Sequence, residues 1–219
     1  MPRIQRGLFP HYPYHILNRG NAKQKIFHNH SDYQYFMELL AQAKKRYPLK
    51  ILAFCLMPNH FHLCVTAEHP KNISQFMQWL LTSHVRRVHT FHKTSGHIWQ
   101  GRFKSFLIQK DSHLLTVLRY IEANPVRAKL VSDAKYWPWS SFLFREEPQS
   151  LDLLDESPIP LPPHWNTYVN SSGSPQELEM IRASLKRHSP LGDIEWVEEI
   201  ALKLGLLSTI NPRGRPRIK

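Results

Sequence analysis

Apolar residues run without a break from Ile51 to Met57, a pattern that suits a strand covered on both faces. Pro58-Asn59 then reads as a turn, and His60 to Thr66 continues as a second strand. Strand geometry puts His60 and His62 on one side and turns Phe61 into a core. Around this hairpin the periodicity predicts further elements. Tyr12 to Asn18 alternates loosely as a first strand, closed by the polar turn Asn18-Arg19-Gly20-Asn21. Ser31-Asp32-Tyr33-Gln34 has capping-box spacing, and Tyr33, Phe36, Met37, Leu40 and Ala43 recur on one helical face until Pro48. A second helix opens at Asn72 to Gln75, with Phe76, Met77, Leu80, Leu81, His84 and Val88 on its buried side. Phe103 to Ile108 predicts a fourth strand, and Ser112 caps a third helix built on Leu114, Leu115, Val117, Leu118 and Ile121.

Beyond Glu146 the pattern changes to prolines, serines and acids up to Ser172, which predicts a linker held to the domain through Trp165 and Tyr168. Two short helices follow, one capped by Ser174-Pro175-Gln176-Glu177 and one by Asp193, the latter ended by Gly205. Neither buries enough surface to stand alone, so both are expected to dock. The expected division is 1–145 for the main domain, 146–173 for the Pro-rich linker and 174–219 for a helical extension with a basic tail. Ile200 to Leu206 also invites a helix-turn-helix reading, but only Ser208 to Pro212 and a basic tail come where a recognition helix should.

Composition adds a partner class. Lys and Arg number 29 against 17 Asp and Glu, a net charge of +12, which favours nucleic acid first and an anionic membrane surface second. No apolar run approaches the ~18 residues of a spanning helix and the N-terminus lacks an apolar leader core, so a soluble, cytoplasmic, DNA-associated protein is expected. Cys55 and Cys64 have no metal or redox spacing and read as reduced, packed thiols.

The candidate chemistry lies at a few positions. His60 and His62 form a two-imidazole metal seat, although 14 histidines in 219 residues produce roughly one such spacing by chance. The second pair, His28 and His30, lies in a polar stretch and reads as solvated loop. Gly96 to Phe106 interleaves aromatics and cations, which fits either a single-strand groove or a strand with an aromatic core face. Tyr120 and Asn124 are four apart and share a helical face, with Pro125 pushing Asn124 toward the helix end. Arg19, Arg86, Arg87, Arg102, Lys104 and Arg127 are the candidate DNA contacts of the domain. The tail adds Arg213, Arg215 and Arg217, whose Arg-Gly-Arg-Pro sequence is like a minor-groove hook.

Three motifs in this order, Met57-Pro58-Asn59-His60-Phe61-His62, Gly96-His97-Ile98-Trp99-Gln100-Gly101-Arg102-Phe103 and Tyr120-Ile121-Glu122-Ala123-Asn124-Pro125-Val126-Arg127-Ala128, resemble the HUH single-tyrosine transposases, and among them the REP-associated tyrosine transposases. The resemblance runs from about Tyr12 to Phe142, and the terminal Gly214-Arg215-Pro216 is similar to the end of longer members. It implies an α+β fold with a ferredoxin-like or RRM-like antiparallel sheet and flanking helices. It also implies metal-dependent cleavage and rejoining of single-stranded DNA near hairpins, with Tyr120 as nucleophile. His60 and His62 match the metal ligands, and Asn124 stands where other single-tyrosine transposases place a glutamine ligand. Mg²⁺ or Mn²⁺ suits the chemistry, although Zn²⁺ or Ni²⁺ binds two imidazoles more tightly. The expected assembly is a monomer or homodimer acting on single-stranded DNA with hairpins. A non-catalytic hairpin-binding regulator that keeps the fold, and a nuclease that uses water, are the alternatives.

Overall fold

The computed structural model describes residues 9–147, 150–171 and 173–211. Strands β1 (Tyr14–Arg19), β2 (Lys50–Met57), β3 (His60–Thr66) and β4 (Lys104–Leu107) form one antiparallel sheet in the order β2-β3-β1-β4. Helices α1 (His30–Arg46) and α2 (Lys71–His92) connect β1 to β2 and β3 to β4, which is the βαββαβ order of a ferredoxin-like domain. Pro58-Asn59 is the two-residue hairpin link, with Met57 paired to His60 across it.

Alternation decides which side chain meets which layer. Phe61, Leu63 and Val65 of β3 and Ile16 of β1 pack with Phe36 and Leu40 of α1 and Phe76 and Leu80 of α2. Cys64 on the opposite face joins Cys55, Phe106 and the apolar side of α3 (Ser112–Glu122), namely Leu114, Val117, Leu118 and Ile121. Both cysteines are fully buried free thiols. The sheet is therefore covered on both sides, and β2 is buried at every position but Lys50, as its unbroken apolar run requires.

After α3 come α4 (Asn124–Arg127), α5 (Ser141–Glu146), α6 (Trp165–Asn170), α7 (Pro175–Arg187), α8 (Ile194–Lys203) and α9 (Leu207–Ile210). The two predicted helices are docked: Ile181 and Leu185 of α7 share the α3 core, and Ile200 of α8 reaches the other one. The proline-rich stretch is anchored by Trp165 and Tyr168, over whose ring the Arg119 guanidinium lies at 4.1 Å. At four residues α9 is too short for a recognition helix, so the helix-turn-helix reading fails. Among the described residues no helix is long and apolar enough to cross a membrane.

Two helix starts differ from expectation. α1 begins at His30, and its cap is Asn29 rather than Ser31: Asn29 Oδ1 accepts from the Asp32 N–H, and Asp32 Oδ2 accepts from the Asn29 N–H. A carboxylate at the third helical position completes the box better than the Gln34 amide, because it also meets the positive end of the helix dipole. Asp111, not Ser112, caps α3 by accepting from the His113 N–H.

Glu122 anchors α3 to its surroundings. The carboxylate is fully buried and accepts from Ser141 Oγ at 2.5 Å, Arg145 Nε at 2.8 Å and the Trp165 indole N–H at 2.7 Å. Arg145 donates in turn to the carbonyl of Leu52, at the register shift in β2. A buried carboxylate is tolerated only when fully partnered, and removing it leaves a buried guanidinium without its counter-charge. Glu122→Ala is therefore expected to cost about 3–5 kcal/mol, read as a lowered midpoint in urea unfolding.

Candidate active site

The face of the sheet toward α3 carries His60 and His62 of β3 and His15, Leu17 and Arg19 of β1, because all of these sit in phase on neighbouring strands. Together with Met57, Lys104, Tyr120, Asn124, Arg127, Arg182 and Lys186, most of them line a cleft of about 420 Å³. The His60 and His62 rings are 5.0 Å apart, and the His62 and Tyr120 rings 5.7 Å apart, centroid to centroid. Residues separated by about sixty positions thus meet because α3 packs on the sheet over β2 and β3.

The local chain explains each orientation. Pro125 has no N–H to offer the carbonyl of Ile121, and α3 breaks at Ala123. The Asn124 side-chain N–H₂ serves that carbonyl at 3.3 Å and the Tyr120 carbonyl at 3.1 Å. With its nitrogen so engaged, the amide leaves Oδ1 without a partner among the described residues, an orientation assigned from the hydrogen-bond network. Arg127 donates to the same Tyr120 carbonyl at 2.7 Å and lies 4.1 Å over the Tyr120 ring. Burial lowers the Arg127 guanidinium from its usual value, and the neighbouring Tyr120 opposes that shift.

A second set of contacts orients the histidines. Asn59 donates to the Lys23 carbonyl at 3.1 Å, so its Oδ1 faces His60 Nδ1 at 2.6 Å and accepts the ring proton. Nε2 of His60 is then the bare nitrogen. Nδ1 of His62 lies 2.7 Å from Nε2 of His15, a residue that is fully buried. Burial, with Arg19 adding to it, pulls His60 down to about 4. Burial and then Arg127 pull His15 down to about 3, and burial followed by the charges of His15, His60 and the arginines holds His62 well below its usual value. All three imidazoles are thus neutral at physiological pH, the form that ligates metals.

Not every expected residue joins the cleft. Arg19, Lys104 and Arg127 line it, but Arg86 and Arg87 lie on α2 across the sheet, where Arg87 stacks on Tyr35 and Phe91 at 5.0 and 5.1 Å. Arg102 is exposed in the loop before β4. Arg213, Arg215 and Arg217 lie outside the described residues. Trp99 and Phe103 are buried, Trp99 against Phe36, Phe61 and His84, so these two aromatics serve the core and not base stacking. His28 and His30 are exposed at the start of α1, as a solvated pair should be.

Three contributors were not singled out in the sequence. His15 had a signal, its in-phase position with Leu17 and Arg19, but nothing local says that β1 lies beside β3. Arg182 and Lys186 are four apart and so share a helical face, without any mark of the surface that α7 meets. Elsewhere Asp111, His113 and Asp193 bring ligand atoms within 4.8 Å of one another. One oxygen of each carboxylate is engaged, Asp111 Oδ1 by the His113 backbone N–H and ring in capping α3 and Asp193 Oδ2 by the Gln109 side chain, although the Asp193 side chain makes no cap bond to α8.

The profile of the family described as "Transposase IS200 like" matches residues 9–124. A Haemophilus influenzae protein assigned as a REP-associated tyrosine transposase is 35% identical over 118 residues, 49% of this chain and 66% of the relative. The REP-associated tyrosine transposase of Escherichia coli K12 is 26% identical over 113 residues, 51% of this chain and again 66% of the relative. The matched stretch thus falls just short of two thirds of these relatives. The solved structure of a REP-associated tyrosine transposase bound to a REP hairpin superposes with a TM-score of 0.58 at 21% identity, covering 74% of this chain and 99% of that one. At that identity the similarity speaks for the fold.

Proposed function

Since the chain belongs to the IS200-like transposase family, we propose that it cleaves and rejoins single-stranded DNA beside hairpins through a covalent bond to Tyr120. One observation carries the reading: a phenol, two neutral imidazoles and an amide oxygen converge in a cleft rimmed by Arg19, Lys104, Arg127, Arg182 and Lys186. The cations suit a phosphate backbone that must be held and oriented for in-line attack. The DNA-hairpin substrate is taken from the REP-bound relative of the same fold.

The donor set fits a divalent ion. His60 Nε2, His62 Nε2 and Asn124 Oδ1 are the atoms left over once every other polar atom of these side chains has found a partner. Mg²⁺ or Mn²⁺ held there supplies Lewis-acid polarisation of the scissile phosphate. The protein groups do the rest. Tyr120 Oη attacks phosphorus, the bond to the 3′ oxygen breaks, and the products are a 5′-phosphotyrosine and a free 3′-OH. Arg127, 4.1 Å over the Tyr120 ring, sets a positive charge beside the attacking group, where it offsets the negative charge that builds on the phosphate oxygens during attack. The bond energy is retained in the phosphotyrosine, so attack by another 3′-OH rejoins DNA.

The test is a denaturing gel of end-labelled hairpin oligonucleotides incubated with protein and Mg²⁺ or Mn²⁺. Wild type should give a downstream fragment joined to the protein through its 5′ phosphate. His60→Ala/His62→Ala should lose cleavage by at least about 10²-fold with hairpin affinity nearly unchanged, because affinity rests on many phosphate contacts. Metal-dependent cleavage at the wild-type rate in this variant would remove the metal assignment. Binding without any adduct, across hairpins and metals, favours the non-catalytic regulator, and cleavage without retention on protein favours a water nucleophile.

A further inference from the structure

We propose that His15 is the positioning residue of the metal seat, holding His62 as the Nδ1–H tautomer so that its Nε2 faces the cleft as a lone pair. The inference rests on the proposed role of His62. It starts from an oddity of packing. His15 is fully buried on β1 between the rings of Phe106 and Tyr120, at 5.0 and 5.9 Å, a place where an apolar side chain would be stable. Its Nδ1 is buried without a partner among the described residues, which is unfavourable. Among the described residues, the one polar contact of its side chain is the 2.7 Å approach of Nε2 to His62 Nδ1. A rule broken locally, with a single compensating contact to a site residue, marks a functional position.

Only one proton fits between two nitrogens at that distance. If His15 donates it, neutral His62 carries its own single proton on Nε2 and presents an N–H to a cleft lined by Arg19, Lys104 and Arg127, like poles together. If His62 donates it, a lone pair faces those cations, and this is the arrangement a ligand needs. His60 is set the same way by Asn59, so each imidazole has its own orienting acceptor.

The experiment uses the full chain, labelled with ¹⁵N and free of metal. Long-range ¹H–¹⁵N correlation should show His62 protonated at Nδ1 in wild type and at Nε2 in His15→Phe, which keeps the bulk and removes the acceptor. Titration with Mn²⁺ or Co²⁺ should show His15→Phe weakened about 10- to 100-fold. His15→Gln, whose amide oxygen can reach the Nε2 position, should recover most of that loss and serves as the test if the Phe variant does not fold. Hairpin binding without metal should be unchanged in all three. An Nε2–H tautomer of His62 in wild type, or an unchanged tautomer with wild-type metal affinity in His15→Phe, overturns the proposal. Wild type that binds neither metal counts against the seat itself, while the tautomer measurement still decides the part played by His15.

Discussion

Tyr120→Phe should abolish the covalent protein–DNA adduct while leaving the protein folded and bound to its hairpin. The substitution removes one oxygen. The ring stays 9% exposed in its place, the Arg127 guanidinium keeps its position over the ring face, and the side-chain bonds from Asn124 and Arg127 to the Tyr120 carbonyl are untouched. Loss of a hydroxyl hydrogen bond costs at most about 1.5 kcal/mol, which a thermal melt detects and which leaves the domain folded. Loss of the proposed nucleophile has no such bound, because Tyr120 is the one tyrosine lining the cleft among the described residues. Tyr33 is stacked between Phe27 and Trp139 in the opposite core, Tyr35 lies under Arg87, and Tyr136 is on the surface. Mapping of the wild-type adduct should therefore place the DNA on Tyr120 alone. An adduct persisting in the Phe variant would reject the assignment. Equal loss of hairpin binding would point instead to a packing role.

The second large effect concerns acid. His15, His62 and His84 are buried and held neutral, His15 down to about 3, His84 down to about 4 and His62 well below its usual value, in each case by burial first. In the unfolded chain each takes up a proton near 6.5. The unfolded state therefore binds more protons in the window from about 6.5 down to those lowered values, and stability falls as pH falls. Three such groups contribute about 4 kcal/mol per pH unit well inside the window, at about 1.4 kcal/mol each. Half-buried His60, down to about 4, adds a smaller share. Against a total of roughly 5–15 kcal/mol, the domain should unfold in mild acid, near pH 4 to 5. Urea titrations between pH 7.5 and 4.5 at constant salt measure this. His84 lies across the sheet among Phe27, Phe36 and Trp99, so His84→Phe should reduce proton uptake on unfolding by about one without disturbing the cleft. A stability independent of pH between 6.5 and 5 would contradict the neutral-histidine account. Divalent ions that bind the neutral imidazoles should shift the acid midpoint downward.

Sequence and tertiary structure divide the site between them along a physical line. Periodicity and local chemistry act over a few residues, so the apolar run of β2, the Pro58-Asn59 hairpin, the shared side of His60 and His62 and the shared face of Tyr120 and Asn124 were all legible in the chain. So was the family, from three motifs in order. Pro125 even announced the helix break, although not that the Asn124 amide would repair it. What the chain could not disclose are choices made by long-range register and packing. Trp99 and Phe103 alternate with cations in a way that fits a DNA groove or a core, and only the presence of Phe36, Phe61 and His84 on one side decides for the core. The pairing of β1 with β3 brings His15 to His62 across 47 positions, and the docking of α7 brings Arg182 and Lys186 to the rim of the cleft. A sequence pattern tells which face of an element a residue occupies; which neighbour that face meets depends on the burial of apolar surface over the whole domain, a sum that no local window contains.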